Sequence, residues 1–447
     1  MFVPFKSNDS NIDDISICIE KCKNILKNNY DENFKFTVPS TNLYPHQWSW
    51  DSCWITYALS VLGEHQKAED EIISLFNYQW KNGLVPSIVF HNQTNNTYFP
   101  CPKYWDLTKY ANTFTDKNCT TGIIQPPLHS SACWNMYLHS KNIQFLSEIF
   151  PKLIKWHEYL YRERDPLKEG IIYIRHPWES GMDNSPMWDE VLEKIKIDAY
   201  EYSSKRTDNK KVNSNERPTD ITYERYLKMI QLFKSCRFNE EEIYKNSQFI
   251  IQDVLFNTLL IKSNKDLLNI AKILKKDTTQ IENWIKLTHK NFEKKFYKNN
   301  FYYDYDMKSN KHIFEKVIGG LSPIILFNSN HDILVDTLKD EFIQEKNENF
   351  KISSISRLNP KYDSINYWRG PTWINLTWLI LSGLNKERYK DLYNKIKNAS
   401  IQLVKNKGVF EYYDSQLQSS KGCGDNKFSW TAANLICMVN NLDFNSD

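Results

Sequence analysis

The chain has 447 residues, of which 41% are hydrophobic and 25% charged, so it is globular and long enough to bury a substantial core. Its 57 Lys and Arg against 54 Asp and Glu leave a formal net charge of only +3, spread along the sequence, with no strong field to draw nucleic acid or an anionic membrane. No stretch approaches the roughly 20 apolar residues that cross a bilayer, and Met1 to Asn8 lacks the basic-then-apolar pattern of a secretory signal, so a cytoplasmic protein is expected.

In chain order, helical patterns alternate with loops. Ile12, Ile15, Ile19, Cys22 and Ile25 recur at three- and four-residue spacing, which predicts an amphipathic helix. Ala68, Ile72, Leu75 and Phe76 repeat that pattern up to Gln79, and 141–160 and 221–235 read alike. Residues 240–275 read as two helical stretches broken near Ser263-Asn264. At Asp277-Thr-Thr-Gln280 an acid precedes Gln by three positions, a helix-start signal, and Ile281, Trp284, Ile285 and Leu287 follow. Helices over 314–345, 372–384, 386–406 and 428–441 complete the set. Roughly a dozen helices, only short strands, no βαβ alternation and no Gly- or Pro-rich linker predict one all-helical domain spanning 1–447.

Nine cysteines are scattered with no Cys-x-x-Cys pair and no histidine at metal-ligand spacing, so they read as free thiols. Aromatic residues make up 14% of the chain, and nine of the 14 tryptophans fall in four short stretches: 48, 50 and 54; 178 and 188; 368, 373 and 378; and 430. Clustered beside acids and glycines, they suggest the wall of a shared cavity. Flat aromatic faces suit the apolar faces of sugar rings, with polar side chains between them to read hydroxyls.

The densest stretch is His176-Pro-Trp-Glu-Ser-Gly-Met-Asp-Asn-Ser-Pro-Met-Trp-Asp189, whose prolines and glycine break helix and strand alike. It predicts an ordered loop that pushes the Asp183 carboxyl into the cavity; the alternative is an Asx-turn in which Asp183 bonds only its own backbone. Residues 203–216 form the most polar run and read as a solvated loop excursion. Arg217-Pro-Thr-Asp220 then leads into Tyr223, placing a cation and a phenol together at a helix entrance. Arg217 offers a bidentate fork for a substrate carboxylate, or it pairs with a surface acid.

Further motifs mix aromatics with groups that bond hydroxyls. Tyr44-Pro-His-Gln-Trp-Ser-Trp-Asp51 carries Asp51, able to accept two hydrogen bonds from one sugar. Thr121 to His129 is a proline-stiffened loop that fixes Gln125. Asn366 to Trp373 is a further aromatic loop, Phe410 to Asp414 sets Glu411 between aromatics, and Phe428 to Ala432 opens the last helix.

Together with Val85 to Phe90, Tyr98 to Pro100, Glu179 to Pro186 and Arg217 to Tyr226, these motifs resemble, in order, glycoside hydrolase family 63, in particular its small members that hydrolyse mannosylglycerate and glucosylglycerate. The resemblance implies an (α/α)6 barrel with long active-site loops. It implies hydrolysis with inversion, Asp183 as general acid and Glu411 as general base, and neither metal nor cofactor. In that chemistry the two carboxyls stand roughly 6.5–9.5 Å apart to admit a water, and the acid keeps a raised pKa through burial.

By the same resemblance Tyr44, Trp48, Trp50, Asp51, Gln125, Tyr367, Trp368, Gly370 and Trp373 line the sugar subsite. Tyr98 lies on a loop that closes over it, Trp178 flanks the acid, and Arg217 with Tyr223 holds a glycerate carboxylate. The chain departs from the pattern at Ser419 to Lys427, which implies a different placement of the loop after Glu411. It departs again at Cys53, where a small Gly is usual and the bulkier thiol narrows the space behind the sugar.

The function expected is an inverting α-glycoside hydrolase acting on a small acidic glycoside, glucosylglycerate or mannosylglycerate, with no nucleic-acid or membrane partner. The alternatives are an α-glucosidase acting on neutral oligosaccharides and a non-catalytic sugar-binding protein. The sequence is silent on glucose against mannose and on whether copies of the chain form a homo-oligomer.

Overall fold

The computed structural model describes residues 9–92, 97–326, 329–343, 350–416 and 421–444, with side chains from residue 15 onward. Met1 to Asn8, the Ile12 side chain and Ser419-Ser420 lie outside the described residues, as do parts of the 314–345 segment.

Six segments close a ring. Ser49–Val61 packs on His129–Ser140, which packs on Val254–Ile273; that helix meets the 3-10 segment Ile318–Leu326, then Ile374–Gly383, then Ser429–Val439, which returns to Ser49–Val61. Five of them pack on the outer helix that follows in the chain, His65–Phe76, Ile143–Glu163, Thr279–Phe296, His331–Thr337 and Lys390–Lys407, and the sixth, Ser429–Val439, packs on Asp9–Asn29 from the other end of the chain. Inner and outer segments alternate along the sequence, which is the (α/α)6 arrangement. The strands are short, and the largest sheet has four, in the order Lys311–His312, Tyr305–Asp306, Ile251–Gln252, Tyr173–Ile174.

The two rings differ in what the sequence supplies. Outer helices bury one stripe: in Ile143–Glu163 it runs through Leu146, Ile149, Leu153, Trp156 and Leu160. Inner segments are buried all round, from Ser49 through Ser60 and from Ile374 through Gly383 without a break. A segment with no polar face has no stripe to detect, which is why periodicity does not reveal Ser49–Val61 and His129–Ser140.

Two expectations are corrected. The 240–275 stretch does not break at Ser263-Asn264. Asn264 bonds His157 Nδ1 at 2.7 Å and Tyr161 Oη at 2.7 Å, so these polar residues tie the inner helix to its outer neighbour. The break lies at Ser247 to Asp253, where Asp253 caps Val254–Ile273 by accepting from the Phe256 amide at 2.6 Å. Segment 314–345 is not one helix either. Gly319, Gly320 and Pro323 hold Ile318–Leu326 in a 3-10 form, and a Cβ at 320 would stand 2.4 Å from the Tyr302 carbonyl oxygen. The inner ring has no room there for a wider segment.

All nine cysteines are free. No helix among the described residues is long and apolar enough to cross a membrane.

Candidate active site

A cleft lies where the loops enter the inner helices. Ser49–Val61 begins beneath it: the Ser49 amide donates to the Ser87 carbonyl at 2.9 Å and the Trp50 amide to Gln125 Oε1 at 3.1 Å. The orphan donors of a helix start thus take up Gln125's carbonyl. Asp51, in the first turn, lines the cleft and is buried; burial first, then the nearby Glu411, push its pKa well up.

Glu411 sits on the strand Phe410–Tyr413, paired with Gly422–Asn426 through a bulge in which three steps on the second strand match two on the first. Bulges re-aim side chains, and this one rests on Gly424, whose φ is +69° and where a Cβ would stand 2.2 Å from Glu411 Oε2. Only glycine lets backbone approach the carboxylate so closely. Tyr44 Oη donates to Glu411 Oε1 at 2.9 Å and Tyr367 Oη at 3.0 Å, and the Trp430 indole donates to its carbonyl at 3.0 Å. Burial raises the Glu411 pKa, against the pull of Arg217 and the two tyrosines.

Asp183 occupies the predicted loop, which is fixed from three sides. Glu179 accepts both guanidinium Nη atoms of Arg164 at 2.9 Å, the Arg175 amide at 2.7 Å and the Ile124 amide at 3.1 Å, tying the loop to the one that carries Gln125. Arg369 grips Asp189 with two bonds, at 2.9 and 2.7 Å, and Asn184 donates to Asn366 at 3.0 Å, so the 366–373 loop holds the other flank. Gly181, at φ +75°, lies against Trp50, where a Cβ would stand 2.5 Å from Cη2. Tyr226 Oη donates to the Asp183 carbonyl. With its backbone fixed, the carboxyl faces the cleft among Trp178, Tyr98 and Trp50, and burial pushes its pKa up to about 7, with Arg217 opposing and Glu411 adding to the rise.

Arg217 is the only cationic residue among the described residues that line the cleft. Its Nη2 donates to Tyr44 Oη at 2.8 Å, its Nη1 stands 3.5 Å from Glu411 Oε2, its Nε donates to Asp208 at 3.2 Å, and its plane lies 4.2 Å from the Tyr367 ring centre. Trp48, Tyr98, Trp178 and Tyr223 complete the wall; Tyr223 Oη donates to the Phe99 carbonyl at 2.8 Å.

Three residues expected in the sugar wall are not in it. Trp368 and Trp373 stack on each other at 3.7 Å, Trp373 also packs 5.1 Å from Tyr367, and a Cβ at 370 would meet the Asp363 carbonyl oxygen at 2.3 Å. They form a buried layer that props Tyr367. Cys53 lies inside its helix, wholly buried and outside the lining, with its thiol 3.5 Å from the Ser49 carbonyl.

Trp430, the last of the clustered tryptophans, lines the cleft, whereas sequence reasoning missed Asp208 and Phe428 as lining residues. Asp208 falls in the run expected to be solvated, yet Arg206 beside it is buried and Lys211 bonds the carbonyls of Asn42 at 2.6 Å and Thr97 at 3.0 Å, pinning the run across the cleft. The loop after Glu411 is anchored by Glu216, which accepts from the Gly424 amide at 3.0 Å and from Lys421 at 2.7 Å.

The cleft thus gathers Asp183, Glu411 and Arg217 within an aromatic wall. Residues 44–431 match the model of the mannosylglycerate hydrolase MGH1-like glycoside hydrolase domain. The chain belongs to this family. This glycoside hydrolase is 36% identical over 422 residues to the mannosylglycerate hydrolase of Rubrobacter radiotolerans, covering 91% of this chain and 93% of that one. It is 27% identical to the glucosylglycerate hydrolase of Mycolicibacterium hassiacum, covering 90% and 93%. It superposes on the crystal structure of the family 63 mannosylglycerate hydrolase of Thermus thermophilus, in complex with Tris and D-glycerate, with a TM-score of 0.85 at 32% identity over 94% of this chain and 99% of that one.

Proposed function

We propose that this glycoside hydrolase inverts the anomeric centre of an α-glycoside of glyceric acid, mannosylglycerate or glucosylglycerate. The observation that carries the reading is that Asp183, Glu411 and Arg217 share one cleft, with Asp183 poised to hold a proton near neutral pH. Relatives named for both substrates support it.

Asp183 gives its proton to the glycosidic oxygen as the C1–O bond breaks. Glu411 takes a proton from the water that forms the new C1–O bond on the opposite ring face. The products are β-hexose and glycerate; Asp183 is left ionised and Glu411 protonated, and exchange with solvent resets both. Tyr44 and Tyr367 steady the Glu411 carboxylate until it accepts the proton. Arg217 and Tyr223 receive the carboxylate of the aglycone.

Time-resolved proton NMR of the anomeric signals, with glucosylglycerate and mannosylglycerate in parallel, tests the proposal. β-Hexose appearing before its α anomer supports inversion, and the faster substrate identifies the sugar. Cleavage of a neutral α-glucoside with both glyceric acid glycosides left intact overturns the acidic aglycone.

A further inference from the structure

We propose that Asp208 is a positioning residue that commits Arg217 to the aglycone end of the cleft and keeps it off Glu411. The inference rests on the acidic-aglycone reading and adds to the site a residue outside the motifs. Among the described residues, four acids line the cleft, Asp51, Asp183, Asp208 and Glu411, against the one guanidinium. Left to attraction alone, Arg217 would close on the nearest buried carboxylate, neutralise the base and lose the N–H groups a substrate anion needs.

It does not close. Nη1 stands 3.5 Å from Glu411, at the outer limit of hydrogen bonding, whereas Nε donates to Asp208 at 3.2 Å. Asp208 is itself clamped: Arg206 donates to its two carboxylate oxygens from Nε at 3.0 Å and Nη2 at 2.7 Å. Arg206 is 1% exposed, donates onward to the Pro218 carbonyl at 2.8 Å and Asp220 at 2.9 Å, and lies 4.4 Å from the Tyr223 ring centre. The chain Arg206, Asp208, Arg217 therefore fixes the Nε edge of Arg217 while Tyr367 fixes its face. The Nη edge, touching Tyr44, is left for an incoming carboxylate. Although burial alone would raise the Asp208 pKa, hydrogen bonds from Arg206 and the charge of Arg217 hold it at about 2, so the clamp is charged throughout the working range.

Steady-state kinetics on the whole protein test this, using glucosylglycerate, mannosylglycerate and the uncharged analogue glucosylglycerol. For a lost charge-assisted hydrogen bond, Asp208→Asn and Asp208→Ala should raise KM for the acidic glycosides about ten-fold, leave it for glucosylglycerol within about two-fold and change kcat little. Asp208→Glu, which keeps the charge, should recover part of the loss. Should the Asp208 variants fail to fold, Arg206→Lys, which breaks the two-point clamp, should produce the same split in smaller measure. Equal rises on acidic and neutral substrates would assign Asp208 a structural role and overturn the proposal. A fall in KM for the acidic glycosides would overturn it too, by showing Asp208 competing with substrate for Arg217. Wild-type protein that does not favour acidic over neutral glycosides would refute the acidic-aglycone reading and this inference with it. Wild-type preference without a split in the variants would refute this inference alone.

Discussion

At the scale of single residues, the roles proposed for the two carboxyls predict how the enzyme responds to pH. In the proposed mechanism Asp183 acts while protonated, so activity should fall as pH rises through about 7, and Glu411 acts while ionised, so activity should fall as pH drops through its raised pKa. Asp183→Asn should lower kcat by about 10²- to 10⁴-fold and abolish the basic limb of the profile. A basic limb that survives would assign the acid elsewhere. The same substitution should act on stability with the opposite sign. The folded state keeps the Asp183 proton up to about pH 7, while the unfolded chain gives it up at the ordinary carboxyl pKa, so rising pH between those points favours unfolding. Asn does not titrate. The melting temperature of Asp183→Asn should therefore match wild type near the ordinary carboxyl pKa and exceed it at and above neutral pH, a gain that comes with lost activity. The loop that brings Asp183 to the cleft was legible because Gly181 and the flanking prolines mark it. Asp208 was not, because Asn- and Lys-rich polarity reads as solvent and only the buried Arg206 beside it reveals otherwise.

At the scale of elements, the bulged pair Phe410–Tyr413 and Gly422–Asn426 aims Glu411, the proposed base. Gly424→Ala would put a Cβ 2.2 Å from the Glu411 carboxylate at a φ of +69°. Shifting the base by an ångström should lower kcat about 100-fold while circular dichroism stays unchanged. Gly63→Ala is the matched control: its φ of +77° carries the same backbone strain, but nothing stands within 4 Å of the new Cβ. It should cost about 1–2 kcal/mol of stability in denaturant titration and leave kcat alone. Outer helices such as Ile143–Glu163 could be read from the sequence because one face meets water. The inner helices Ser49–Val61 and His129–Ser140 could not, and their first turns sat inside the very motifs that signalled function.

At the scale of the whole molecule, the ring closes where its first inner helix meets its last two. Trp54 packs 5.8 Å from Trp378, both pack on Phe444, and the Trp378 indole donates to the Leu442 carbonyl at 2.9 Å. Trp378→Ala should leave a cavity and cost about 3–5 kcal/mol, seen as a lower urea midpoint, while the cleft residues keep their contacts. The sequence by itself determined the helical class, the family and most of the cleft, because the loop motifs combine glycine, proline, tryptophan and acids in patterns that few other chemistries need. Only the tertiary structure decided which segments form the inner ring, that Trp368, Gly370 and Trp373 stand behind the cleft wall, and that Asp208 reaches into it. A residue's type fixes what it can bond, but its partners come from segments far along the chain, and closing the ring is what brings them within reach.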